Sequence, residues 1–124
     1  MTIDTLRGTI YTSATLTVTG SSDVLDIGGN FKTGFFAIVG SGITTDETLD
    51  LTVDFYADSS GTTSLGTITF GQLLDGTLTR VQIWPGGVTA RDHPLHIPRF
   101  IKLTWTIAGS TPLMTFVLSG DLRG

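Results

Sequence analysis

The sequence predicts an all-β fold, a single-domain antiparallel β-sandwich of jelly-roll type with seven to eight strands. Apolar and polar residues alternate with a period of two in several windows, most clearly at Leu49, Leu51, Val53, Phe55 and Ala57 and at Ile101, Leu103, Trp105 and Ile107. That spacing places successive side chains on opposite faces of a strand. Clusters of Gly, Ser, Asn, Asp and Pro separate these windows at irregular intervals of roughly 8 to 15 residues, and no window shows helical periodicity. Connections of unequal length favour a sandwich or jelly roll over an up-and-down barrel.

Taken in order, residues 1–8 depart from the compact pattern and are expected to form an extended arm. Residues 9–19 read as the first strand, with Ile10, Ala14, Leu16 and Val18 on one face and Thr9, Tyr11, Thr15, Thr17 and Thr19 on the other. Gly20-Ser21-Ser22 ends it. Val24, Leu25 and Ile27 form a short apolar segment before Gly28-Gly29-Asn30, which can reverse the chain. The run Phe35 to Val39 is apolar throughout, so it is expected to be buried on both faces, or buried on one and covered by a subunit on the other. Gly40-Ser41-Gly42 reads as a turn.

The window 49–57 is the cleanest half-wet strand, followed by a turn at Asp58-Ser59-Ser60-Gly61-Thr62. Residues 65–70 and 78–84 are the next strands, the latter closed by Pro85-Gly86-Gly87. In residues 89–98 two prolines, Pro94 and Pro98, remove backbone donors and exclude a central strand. Two strands close the chain, joined by Ala108-Gly109-Ser110-Thr111-Pro112 as a hairpin with a loop of about five residues. The earlier strands are expected to lie against that hairpin.

Composition narrows the function. The 124 residues suffice for one domain, 1–124, and contain no cysteine, which removes thiolate metal sites, thiol catalysis and disulfides. A net charge of −4 gives no basic field for a phosphate backbone, so no nucleic-acid partner is expected. No window approaches the ~20 apolar residues of a membrane helix, and the first residues lack the basic and apolar regions of a signal peptide; no membrane association is expected. Charged residues make up only 15% of the chain, and Thr and Ser carry the polar surface instead, a pattern suited to a protein partly covered by neighbours.

No constellation announces catalysis, and no cofactor is expected. His93 and His96 are the only histidines, beside Arg91 and Asp92, but Pro94 and Pro98 argue against the helix that would bring them together, so no metal site is assigned. Asp50 and Asp54 share a strand face about 13 Å apart, too far for the paired carboxylates of a glycosidase, and read as edge-blunting charges. Ser41 lies in no nucleophile elbow, and Lys32-Thr33 lacks the glycine spacing of a phosphate loop. Trp105 is in register with core residues. Trp84, before Pro85-Gly86, and Tyr56, on the polar face of its strand, are the aromatic candidates for stacking on sugar rings.

Three stretches together, residues 25–30 leading into 34–38, the acidic strand 49–57 with Asp58-Ser59-Ser60-Gly61, and residues 98–112, resemble the head decoration, or capsid cement, proteins of tailed bacteriophages. The resemblance implies a virion structural protein without cofactor, made in the host cytoplasm. It would bind the outer surface of the capsid through the major capsid protein, often as a homotrimer, and stabilise the shell by many repeated contacts. Partner contacts are expected on the arm, at Ile3, Leu6 and Arg7, and on one end of the sandwich, at Trp84, Arg91, His93 and His96. The alternative is a tail- or fibre-associated module that recognises host glycans through Trp84 and Tyr56.

Overall fold

A computed structural model describes residues 5–28, 31–70, 72–84, 97–109 and 112–124, and for residues 44–46 and 74–84 the backbone alone. Eight strands are present among them: β1 (Thr5–Thr12), β2 (Gly20–Ser21), β3 (Leu25–Asp26), β4 (Thr33–Tyr56), β5 (Ser64–Thr69), β6 (Leu73–Trp84), β7 (Phe100–Ala108) and β8 (Thr115–Arg123). Every pairing is antiparallel.

The architecture is four long arms laid side by side and folded once across their middle. β4 spans 24 residues and runs the whole length of the strip. Along one side of it lie β5 and then β6, from Tyr56↔Ser64 to Gly34↔Trp84. Along the other lie β7 and then β8, from Tyr56↔Phe100 to Thr33↔Arg123. β1 pairs with the free side of β8, and β2 and β3 with the free side of β7. The register of β4 with β6 shifts twice between Gly40 and Thr48, and there the strip bends. One layer therefore reads β1-β8-β4-β6 and the other β2/β3-β7-β4-β5, the winding of a jelly roll.

The two layers close on the inward rows of their strands. From β4 these are Phe36 and Ile38 before the bend and Leu49, Leu51, Val53 and Phe55 after it; Ile101, Leu103 and Trp105 come from β7, and Phe116, Leu118 and Leu122 from β8, all buried. Ring contacts across the layers, Phe36 to Phe55 at 5.6 Å and Trp105 to Phe116 at 5.7 Å, show that residues far along the same arms meet when the strip folds. The sole glutamate, Glu47, also sits in the inward row at the bend, 3% exposed.

Several expectations need correction. β7 and β8 are not a hairpin: each has β4 on one side and β1, β2 or β3 on the other, so neither has a free edge for its sequence neighbour. Their connection carries the chain from one layer to the other. Gly40-Ser41-Gly42 is likewise no chain reversal but the bend within β4. Gly42 has φ 75°, and a Cβ there would lie 2.8 Å from the Leu113 carbonyl oxygen, so both backbone hand and space call for glycine. Asp50 and Asp54 lie on a strand flanked on both sides, so they cover a sheet face and not an edge.

The first arm also differs. Residues 5–8 are no free extension but the start of β1, paired with residues 120–123. A register shift between Thr9 and Tyr11 breaks the alternation, so Ile10 and Tyr11 both pack against the core, with Tyr11 5.8 Å from the Phe116 ring. Beyond Thr12 the first arm departs from a regular strand, and hydroxyls stand in for its carbonyls. The Phe116 amide donates to Ser13 Oγ at 2.9 Å, the Ile107 amide to Thr19 Oγ1 at 3.1 Å, and the Leu103 amide to Ser22 Oγ at 3.0 Å.

Candidate functional site

The outer faces of the two layers differ in chemistry. On the β1-β8-β4-β6 layer, Phe35 and Val39 point away from the buried Phe36 and Ile38 and are 41% and 37% exposed. Burial on both faces is thus not observed: one face of this run is buried and the other is partly exposed. Toward its β1 side this face carries an ionic cluster: Asp121 receives Arg123 Nε at 3.1 Å and stands 3.4 Å from Arg7 Nε. The Arg123 guanidinium, with Arg7, holds the Asp121 carboxyl below its usual range.

The outer face of the other layer is polar along most of its length and aromatic at one end. Because Phe55 and Ile101 point inward, their neighbours Tyr56 and Phe100 point outward, and the register pairs these two directly across β4 and β7. Both are half-buried. The next outward pair is Asp54 and Lys102, followed by Thr52 and Thr104. Asp54 Oδ1 accepts the Thr67 hydroxyl at 2.7 Å, and Asp50 Oδ2 accepts Gln72 Nε2 at 3.0 Å.

Phe100 is bounded by an ion pair. Asp26, its register partner on β3, accepts Arg99 Nε and Nη2 at 2.7 Å each, and the guanidinium carbon lies 5.4 Å from the Phe100 ring centre. The forked bonds from Arg99 lower the Asp26 carboxyl from its usual range and raise the guanidinium. Gly28 N–H also donates to Asp26 Oδ1 at 2.8 Å, so the carboxylate is held from two sides.

Tyr56 is bounded by the turn over residues 57–63. Asp58 ties that turn by accepting both Thr62 N–H and Thr63 N–H, at 3.0 and 3.1 Å, together with the hydroxyls of Ser60 and Thr62. These bonds, the Thr62 hydroxyl first, hold the Asp58 carboxyl far below the usual carboxylate range. Gly61, at φ 68°, brings the turn against the Tyr56 ring and Val24. Partial burial, then the carboxylates of Asp54 and Asp58, push the Tyr56 hydroxyl above its usual range.

Beyond Asp26 the edges of the two layers leave a groove of about 260 Å³ lined by Leu6, Thr9, Ile10, Leu25, Asp26 and Ile27. Its apolar members pack against the core from outside. Asp26 thus belongs both to the groove and to the aromatic end of the sheet.

Of the residues expected to touch a partner, Leu6 lines this groove, whereas Arg7, one step along β1, sits on the opposite face with Asp121. Trp84 ends β6 in the other layer, opposite Gly34, so Trp84 and Tyr56 belong to different layers of the strip. The side chain of Trp84, and Ile3, Arg91, His93 and His96 entirely, lie outside the described residues. Trp105 is core, as its register predicts; it is 8% exposed and its indole N–H donates to the Val18 carbonyl at 3.2 Å. Among the described residues no group of three metal-ligating side chains converges, and no helix is long and apolar enough to cross a membrane.

The chain matches no protein-family model and none of the curated proteins. Among solved structures it is similar to the CBM22-1 and GH10 modules of endo-1,4-beta-D-xylanase 10B from Clostridium thermocellum complexed with xylohexaose, at TM-score 0.48 and 12% identity over 100% of this chain and 29% of that one. It is also similar to the C-terminal family 22 carbohydrate binding module of the same enzyme, at TM-score 0.37 and 18% identity over 74% of this chain and 55% of that one. The chain thus spans under a third of the first and about half of the second. Neither likeness reaches a TM-score of 0.5, and neither carries the functional reading that follows.

Proposed function

We propose that the protein is a non-catalytic binding module that takes carbohydrate on the aromatic end of its β4-β7 face. The observation that carries this is the Tyr56–Phe100 pair, two half-exposed rings set side by side on adjacent strands with the Arg99–Asp26 fork at their border. A sugar ring presents an apolar face of C–H groups and an equatorial rim of hydroxyls. Stacking rings with donors and acceptors beside them answer both, and strands hold them in place without a conformational change. The half-buried Tyr56 ring is the platform, and Phe100, with one side facing Arg99, forms the wall. This reading keeps Tyr56 from the glycan-binding alternative and replaces Trp84 by Phe100. A tail- or fibre-borne location is part of the proposal.

The test is binding of the intact chain to a glycan array, repeated with Tyr56→Ala. Signal on defined glycans that falls at least tenfold in the variant supports the reading; no signal on any glycan rejects it.

One observation favours a second reading. The outward Phe35 and Val39 give the other layer apolar surface at its centre, 41% and 37% exposed. That suits a virion protein whose face is covered by a major capsid protein or by its own copies in a trimer. Co-sedimentation with expanded capsids, lost on Phe35→Ser, supports that reading; a monomer that ignores capsids rejects it.

A further inference from the structure

Resting on the carbohydrate reading, we infer that the β4-β7 face selects uncharged glycans and turns away those carrying carboxylate or sulfate groups, with Arg99 and Asp26 serving as a joint donor–acceptor contact for sugar hydroxyls. An arginine beside an aromatic ring usually invites an anion. Here the invitation is withdrawn by geometry. Both oxygens of Asp26 are engaged by Nε and Nη2 of Arg99 at 2.7 Å, which cancels the guanidinium charge in place. Two of the five guanidinium N–H donors are used in that fork, leaving three, while the carboxylate, whose Oδ1 also accepts Gly28 N–H, retains one of its roughly four acceptor sites, on Oδ2. Donors and acceptors thus stand side by side, the combination a pair of neighbouring hydroxyls needs, with no net charge.

The rest of the face adds negative charge. Asp54 lies next to Tyr56 on the same side of β4, Asp58 is anchored in the adjoining turn, and Asp50 follows four residues along the strand. Against these four carboxylates, Asp26 included, the described cations of this face are Arg99 and Lys102. The raised Tyr56 hydroxyl registers the same field, since Asp54 and Asp58 add to the effect of burial. A ligand carboxylate stacked on Tyr56 would lie within a Debye length, ~10 Å at 0.1 M salt, of these charges, whereas a neutral sugar meets no such penalty.

The experiment compares matched ligands, such as cello-oligosaccharides and their C6-oxidised uronate counterparts, within a panel of neutral and acidic glycans titrated against the intact chain. We expect neutral members to bind more tightly than their acidic partners by about fivefold at low salt. The gap should narrow at 0.5 M salt and in Asp54→Asn, which removes charge but keeps an acceptor for Thr67. Equal or tighter binding of the acidic partners overturns the inference while leaving carbohydrate binding intact. Absence of binding to every member overturns the proposed function and this inference with it.

Discussion

The Asp26 carboxylate grips Arg99 through two hydrogen bonds of 2.7 Å, and the guanidinium so held lies 5.4 Å from the centre of the Phe100 ring. Three residues from two separate segments of chain, Asp26 on one and the adjacent Arg99 and Phe100 on the other, are thereby fixed at one end of a sheet. The side chains of Arg99 and Asp26 are 60% and 43% exposed, so solvent screens the pair and it adds little to folding. Its geometry therefore matters to what the face can hold more than to whether the fold forms.

Replacing Arg99 by Lys should separate these two roles. Lysine keeps the charge but neither the planar fork nor the stack on Phe100. We expect an unchanged melting temperature and glycan affinity reduced by roughly tenfold, read by calorimetry and thermal denaturation on the same preparation. A variant that binds as well as the parent would remove Arg99 from the site.

At Tyr56 the ring and the hydroxyl can be told apart. Tyr56→Phe retains the stacking surface, and Tyr56→Ala removes it along with contacts to the turn at Gly61. Affinity should survive the first substitution within about threefold and fall at least about tenfold in the second, which removes the buried area of the ring together with the about 0.5–1.5 kcal/mol that an aromatic contact adds to it. Loss in both variants would assign recognition to the hydroxyl instead.

How far the sequence discloses this arrangement depends on whether the information is local. Alternation from Leu49 to Phe55 and from Ile101 to Trp105 correctly orients both strands, because a period of two assigns faces without knowledge of a partner. The same local rules misread the connections. Gly40-Ser41-Gly42 and Ala108-Gly109 carry the composition of chain reversals, yet both occur where strands pass between layers, and composition does not distinguish a bend from a hairpin. The Tyr56–Phe100 pair is hidden for a related reason: each residue is visibly on the wet face of its own strand, but their meeting depends on a register across 44 positions. Phe100 was legible as outward and not as a partner.

The hydroxyls of the first arm predict a stability effect of a less obvious kind. Ser22 exchanges two bonds with Leu103, amide to carbonyl at 2.9 Å and Leu103 amide to Ser22 Oγ at 3.0 Å, and the serine is 7% exposed. Ser22→Ala leaves the backbone pairing but strands the Leu103 amide, which should cost about 1–3 kcal/mol. Ser22→Thr keeps the acceptor and should lose less. Denaturant unfolding of both variants checks this, and an alanine variant as stable as the parent would show that another acceptor reaches the amide.

Acid should destabilise the fold in a defined window. Asp58, held by its Thr62, Thr63 and Ser60 donors, Asp26, held by Arg99, and Asp121, held by Arg123, all have folded carboxyls lowered from 3.8. The native state then binds fewer protons than the unfolded chain as pH falls through that value, so their contribution is complete above about pH 4 to 5 and lost progressively below it. The raised Tyr56 hydroxyl has the opposite sign: its contribution is present below about pH 10 and declines above. Denaturant midpoints should form a plateau between these limits, and Asp58→Asn should lower the plateau and flatten its acid side. Stability that rises from pH 4 to pH 2 would contradict the assignment.

The bend in β4 makes the sharpest demand on a single residue. Gly42 combines φ 75° with a carbonyl oxygen, that of Leu113, 2.8 Å from where a Cβ would stand. The obstacle is backbone and not the end of a flexible side chain, and it belongs to the connection by which β7 crosses to β8. Ala at this position has to strain its own φ, at about 1–2 kcal/mol, and also push apart the two crossings that fold the strip into layers. Gly28 offers a control, with φ 65° but nothing within 4 Å of a Cβ. Gly42→Ala should therefore destabilise by more than Gly28→Ala, by at least about 1 kcal/mol in denaturant unfolding. Equal losses would mean that the crossing yields freely, and that the close approach to Leu113 contributes nothing to holding the two layers together.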